Sequence, residues 1–264
     1  MSIWGKIIGG AAGFALGGPL GALLGALAGH AVDRHVEGDT PLLEGPGGNP
    51  AGGPGGSGPT GADDRSATKQ IAFTIAVIAL GAKMAKVDGQ VSRSEVAAFK
   101  EVFQVPAHET ANVARVFDLA KRDARGFEPY ARQVARMFRK GHPVLEELLD
   151  GLFHIARADG QVHEKELAYL AEVARLFGFT EADFARIREA NVGPDKADPY
   201  TILGVRREMS DDEIRAAWRK LVRDNHPDKL IAQGLPEEFV ALANQKLATI
   251  NAAYDKIAKE RGIR

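Results

Sequence analysis

The stretch SDDEIRAAWRKLVRDNHPDK, Ser210 to Lys229, decides how the carboxy-terminal quarter of this 264-residue chain folds. Ser210 and Glu213 form a capping-box pair, in which each side chain answers a backbone N–H that the first helical turn leaves without a partner. Behind them Ile214, Ala217, Trp218 and Leu221 keep helical spacing and define an apolar face. Beside that face Arg215, Arg219 and Arg223 recur every fourth residue, with Lys220 next to them, so the helix carries a cationic stripe. Pro227 cannot continue the helix and disfavours a helical conformation at His226, so the chain bends and projects His226 and Asp228 outward. A second helix, Pro236 to Ile257, places Phe239, Leu242, Leu247, Ile250, Tyr254 and Ile257 on one face, and is expected to pack antiparallel on Ile214, Trp218 and Leu221. Upstream, DPYTILGV (Asp198 to Val205) reads as one short helix closed by Gly204. The expected product is a helical hairpin with an exposed polar tip and one cationic flank.

Taken in order, DPYTILGV, the opening stretch and QKLATINAAYDKI (Gln245 to Ile257) resemble the J domain of the DnaJ family across residues 198 to 264. The resemblance implies a partner, a DnaK-type chaperone whose ATP hydrolysis is accelerated by docking. It implicates His226, Pro227 and Asp228 as the trigger, with Arg215, Arg219, Lys220, Arg223 and Lys229 as the docking charges. Asp224 departs from the basic residue common in that family just before the loop, which shifts part of the charge role to Arg223. A cationic flank of this kind raises the encounter rate with an acidic surface. No catalytic residue and no cofactor is implied: His226 has neither a nucleophile nor a second acid for general-base work. Nucleic acid is not an expected partner, because the basic stripe is short and lacks alternating aromatics for base stacking. Over the whole chain 34 Lys and Arg nearly balance 35 Asp and Glu, and the absence of Cys excludes disulfides, thiolate metal sites and cysteine lipidation.

Upstream of this module, residues 68 to 192 read as a separate helical domain. Helices are expected at Lys69 to Lys86, Ser92 to Gln104, His108 to Arg122, Glu128 to Lys140, Pro143 to Ala158, His163 to Phe177 and Glu181 to Glu189, with Gly and Pro between them. IAFTIAVIALGAKMA, Ile71 to Ala85, is apolar nearly all round, which predicts a central buried helix. Its uncharged run of 13 residues between Lys69 and Lys83 falls short of the ~20 that a membrane span needs. An internal repeat pairs AKVDGQV, Ala85 to Val91, with ARADGQV, Ala156 to Val162, each followed by a glutamate, Glu95 and Glu166. Two readings are open. Gly at the bend with Ser92 and Glu95 as a cap makes a structural corner. Asp-Gly-x-Val-x-x-x-Glu also reproduces half of a calcium loop, although Met84, Lys86, Ile155 and Arg157 stand where its first ligands belong. The repeat resembles the TerB family of helical domains, which implies Asp88, Glu95, Asp159 and Glu166 as candidate metal ligands.

At the amino terminus 26 residues, Ile7 to Val32, contain no Asp, Glu, Lys or Arg and as a helix would reach about 39 Å, enough to cross a bilayer. Residues 1 to 36 are therefore expected to hold a single transmembrane helix. A cleaved signal peptide is the rival reading, but it normally has a shorter apolar region and a more basic start. Gly5, Gly9, Gly13, Gly17, Gly21, Gly25 and Gly29 recur every fourth residue and make a ridge without side chains, which predicts a homodimer through this helix. Against that, each Gly weakens a helix, and Pro19 interrupts the middle. Residues 37 to 67 are dominated by Gly and Pro and are expected to be a disordered tether. The charges flanking the span do not decide its orientation.

The assembled order, together with Ile3-Trp4-Gly5-Lys6-Ile7-Ile8-Gly9 at the start, resembles a family of bacterial inner-membrane DnaJ-like proteins. It implies an all-α chain in the inner membrane, with the amino terminus periplasmic and the bulk cytoplasmic, beside its chaperone and ATP. A second function class stays open: a membrane scaffold acting through the middle domain, with metal or a protein bound there and the J domain as passive recruiter.

Overall fold

The computed structural model describes residues 18–23, 63–88, 93–102, 110–122, 126–191 and 197–263, and among them every regular element is helical. The middle domain comprises α1 (Asp63–Asp88), α2 (Arg93–Val102), α3 (Thr110–Arg122), α4 (Glu128–Phe138), α5 (Pro143–Ala156), α6 (Glu164–Phe177) and α7 (Glu181–Ala190). The carboxy-terminal domain comprises α8 (Pro199–Leu203), α9 (Asp211–Asp224), α10 (Pro227–Ala232), a 3-10 turn at Glu237–Phe239, and α11 (Val240–Arg261).

The central helix is where the apolar run placed it. Every residue from Ile71 to Ala85 of α1 is buried, and α1 packs against α3, α4, α5 and α6. Thr68–Ala85 is long and apolar enough to cross a membrane, but 83% of it is buried inside the fold, so its apolar surface is already covered by protein. α1 begins at Asp63, five residues inside the expected tether, where two consecutive aspartates suit a helix amino terminus. Of the amino-terminal span, only residues 18–23 are described. They form a short helical segment whose Leu20 and Leu23 are buried on the middle domain, with the Leu20 N–H donating to Gln133 Oε1 on α4 at 3.0 Å. Gly21 is buried there too, while Gly5, Gly9, Gly13, Gly17, Gly25 and Gly29 lie outside the described residues.

The hairpin forms with a changed division of labour. Ile250, Ala253, Tyr254 and Ile257 of α11 pack with Ile214, Ala217, Trp218 and Leu221 of α9 and with Tyr200, Ile202 and Leu203 of α8, as the spacing required. Trp218 stacks on Tyr254 with centroids 4.2 Å apart and donates from Nε1 to Asn251 Oδ1 at 2.9 Å. Phe239 and Leu242 do not join this core. With Leu230, Leu235 and Ala243 they belong to the core of the middle domain, where Phe239 meets Phe73 edge-on at 4.7 Å. The reason is length: α11 is 22 residues, about 33 Å, while α9 is 14, so the first turns of α11 extend beyond the hairpin and need another apolar cover. Gly234 permits the approach. It has φ +109°, and a Cβ there would meet Lys69 Cβ on α1 at 2.9 Å.

One turn on, α11 inserts a charge between the domains. Lys246, whose side chain is 5% exposed, places Nζ 2.6 Å from Glu146 Oε1, 3.0 Å from Glu147 Oε1 and 2.9 Å from Asp150 Oδ2, all on α5. Arg186 of α7 closes the other side of Glu146 at 2.5 Å. Burial would raise Glu146, but Lys246 and Arg186 outweigh it and hold it down to about 2. Glu147 is fully buried with a share of only one cation, and burial together with the Asp150 and Glu146 charges raises it to about 7. Three carboxylates facing two cations leave one negative charge in excess, which a proton on Glu147 removes.

Two outcomes are expected. Phe239→Ala should cost about 3–5 kcal/mol, the range for a buried aromatic truncated to Ala, read as a lower denaturation midpoint of the whole chain. Glu147 has a folded pKa raised above its ordinary 4.5, so its contribution is fully present below about 4.5 and is lost as pH rises through about 7. His142 and His154, lowered by burial and by neighbouring cations, act in the opposite direction across the same window, so the difference between variant and native chain isolates Glu147. Melting curves at pH 5.5 and pH 8 should show Glu147→Gln gaining a few degrees on the native chain at the higher pH. A gap that does not change with pH would contradict the assignment.

Candidate functional site

α9 begins as its sequence dictates. Ser210 Oγ accepts from the Glu213 N–H at 3.3 Å, and Glu213 Oε2 accepts from the Ser210 N–H at 2.8 Å. At the other end Asn225 is buried and its Nδ2 donates to Leu221 O at 2.8 Å, which caps the last turn. His226 then takes an extended conformation and becomes the cap of α10, with Pro227 at the first helical position, where its missing N–H costs nothing. His226 Nδ1 accepts from the Asp228 N–H at 3.3 Å. The side chains of His226 and Asp228 are 51% and 90% exposed, while Pro227 is buried. The tip is thus a polar pair presented outward on an apolar foot. The short helix α10 is absent from the sequence reading, although Pro after a capping residue was its signal.

The cations around the tip fall into two sets. Arg219 and Arg223 are exposed on α9, and among the described residues neither has a carboxylate within ion-pair distance. Lys220 and Lys229 are drawn together by Asp224, at 3.0 Å and 2.8 Å. Burial would raise Asp224, but the two ammonium groups outweigh it and keep it ionised. Arg215 pairs with Asp212 at 3.2 Å and donates from Nε to the Tyr254 hydroxyl at 3.5 Å. Asp224 therefore does more than remove a positive charge from the stripe: through Lys229 it ties the end of α9 to α10, across the tip. That role was not legible, because it depends on Lys229 folding back over five residues.

Below the tip the chain enters the middle domain at once. Leu230 and Leu235 are fully buried in its core, and Gln70 Nε2 of α1 donates to Leu235 O at 3.4 Å. His142, the cap of α5, sits in the fields of Lys69, Arg139 and Lys229; burial, then those charges, lower its pKa. The orientation of the tip is fixed by the middle domain as well as by the hairpin.

The four candidate metal residues divide. The side chains of Asp88 and Glu95 lie outside the described residues. Asp159 accepts from the Gln161 N–H at 3.3 Å and faces His163 Nε2 at 3.0 Å, and Gly160 has φ +106°. Glu166 is buried, and its Oε2 accepts from the His163 N–H at 2.9 Å. In this copy of the repeat the carboxylates organise the corner itself, and the described residues contain no cluster of three or more His, Cys, Asp or Glu suited to a metal ion.

Comparison with known proteins divides the chain in the same way. Residues 1–62 match the family model described as the co-chaperone DjlA transmembrane domain, residues 74–189 that of the tellurite resistance protein TerB, and residues 198–261 the DnaJ domain. The chain is similar to the co-chaperone protein DjlA of Photobacterium profundum, 32% identical over 288 residues that cover 99% of this chain and 100% of that protein. It is similar to the same protein of Vibrio cholerae, 31% identical over 297 residues with both chains fully covered. The Shewanella oneidensis protein is 38% identical over 122 residues, 41% of this chain and 46% of that one. No solved structure matches. With a transmembrane domain, a TerB domain and a J domain in that order, and relatives matched from end to end, the chain belongs to the DjlA family of membrane co-chaperones.

Proposed function

We propose that this chain stimulates ATP hydrolysis by a cytosolic DnaK-type chaperone through the His226-Pro227-Asp228 tip and the basic face of α9. The observation that carries the reading is the exposed tip beside Arg219 and Arg223, two guanidinium groups with no carboxylate within ion-pair distance among the described residues. Asp228 offers a carboxylate that is 90% exposed, with His226 Nδ1 at 3.9 Å, and the two arginines offer rigid planar donors to an acidic surface. Arg215, Lys220 and Lys229 supply the remaining positive charge, although each is already engaged within the chain. A J domain in a membrane-anchored chain restricts this stimulation to the membrane surface. The chaperone and its ATP are cytosolic, which supports an inner-membrane location with the amino terminus periplasmic and the bulk of the chain cytoplasmic. The glycine ridge supports association of two anchors, making the working form a homodimer.

A single-turnover ATPase measurement, with the full chain in lipid nanodiscs and a DnaK-type chaperone, tests the proposal. The native chain should accelerate hydrolysis and Asp228→Asn should abolish the effect; if the two behave alike, the co-chaperone reading fails. Arg219→Glu with Arg223→Glu should weaken docking by roughly a hundredfold and flatten its salt dependence, since two steering charges change sign.

A further inference from the structure

α4 and α6 carry a positive surface that the J domain does not use. Arg132 and Arg136 lie one turn apart on α4, Lys140 follows its end, and Arg175 approaches from α6. All four are exposed, and they line a cleft of about 400 Å³ floored by Ala135 and Leu176. Glu172 holds Arg175 at 2.6 Å and 2.7 Å, but among the described residues Arg132, Arg136 and Lys140 have no carboxylate within ion-pair distance. The whole chain has one more acidic than basic side chain, so this accumulation is local and not a consequence of composition.

We propose that this face rests on the anionic headgroups of the bilayer to which the chain is anchored. Charge complementarity is the first reason, because anionic lipid attracts clustered Lys and Arg within a Debye length of the surface. Chain length is the second. Only 28 residues separate Arg34, past the end of the anchor, from Asp63, where α1 begins, so even fully extended they reach no more than about 100 Å. Confinement at that distance keeps the face at high effective concentration beside the headgroups, and a modest attraction then suffices. The inference rests on the family's membrane anchor and adds a second, electrostatic contact that orients the cytosolic domains. Glu172 neutralises Arg175, so Arg132, Arg136 and Lys140 make the principal contact.

The experiment uses the full chain, which has no Cys, with a fluorophore attached through Ala168→Cys, an exposed position on α6 two turns before Arg175. The chain is reconstituted in nanodiscs of neutral phosphatidylcholine, or of the same lipid with phosphatidylglycerol, each containing a headgroup-linked quencher. Quenching should be strong with the anionic lipid, weak without it, and lost in 0.5 M salt. Replacing Arg132, Arg136 and Lys140 by Gln should lower the headgroup-bound population roughly tenfold or more, with an unchanged melting curve. Co-sedimentation with the lipid checks the anchor separately and should be unaffected by any of these changes; loss of co-sedimentation would refute the anchor itself. Equal quenching on both lipids, or no effect of the triple substitution, overturns the proposal. So does a triple variant that keeps its headgroup quenching but loses chaperone stimulation, which would assign the face to the chaperone instead.

Discussion

Lys246 is the constraint on which the arrangement depends. An ammonium group that is 5% exposed cannot be left without compensation, since desolvating an ion costs several kcal/mol, and removing its partners strands the charge. Its compensation is α5, which contributes Glu146, Glu147 and Asp150 within 3.0 Å. Lys246 lies on the last helix of the J domain and the three acids on the middle domain, so the ion pairs cross between the two domains and are lost together if they separate. Apolar packing does the same work a turn earlier through Phe239 and Ala243. Hydrophobic contacts can slide with little loss, whereas a buried charge needs one geometry. The combination therefore fixes both the closeness of the two domains and their register.

Much of this fold was legible in the sequence because its signals are local. Ser210 with Glu213 forms the reciprocal cap that its spacing implies, and Gly204 closes α8 in the left-handed conformation. The uniformly apolar run at Ile71 to Ala85 gave the central helix, since a helix without a polar face has to be surrounded. The hairpin face of α11 was legible for Ile250, Tyr254 and Ile257 and failed for Phe239 and Leu242. Periodicity shows that a face is apolar and does not show what covers it, and two covers divide this face along its length. Lys246 was invisible for a related reason: like Lys256 in the same stretch, QKLATINAAYDKI, it has the appearance of a solvated charge. Only the placement of three acids on a different helix shows that it is buried.

The same distinction applies at the tip. His226, Pro227 and Asp228 declare themselves as consecutive residues, and the exposure of the first and last follows from the bend that Pro227 imposes. The distribution of charge around them does not follow from sequence. Of five cations grouped by position, two have no carboxylate in reach among the described residues and three are held, because Asp224 gathers Lys220 and Lys229 while Asp212 and Tyr254 hold Arg215. A held cation still contributes long-range attraction, but it has to break an existing contact before it can make a direct one. The arginines without such a partner are better placed for geometric recognition, and the lysines for steering.

The mechanical consequence lies in two residues of α10 and its exit. Leu230, within the helix, and Leu235, just after it, are both buried in the middle domain. A tip carried by an isolated hairpin would be oriented only by the hairpin's own core, and its loop could relax on one side. Here the descending side of the loop is anchored in the packing that surrounds α1, with Gly234 bringing the backbone against Lys69. Interiors of this density transmit displacement instead of absorbing it. Leu230 and Leu235 by packing, and Lys246 by its charge pairs, thus tie the segment that His226 caps and the helix that follows it to α1 and α5, and the middle domain supports the tip without contributing a residue to its exposed surface.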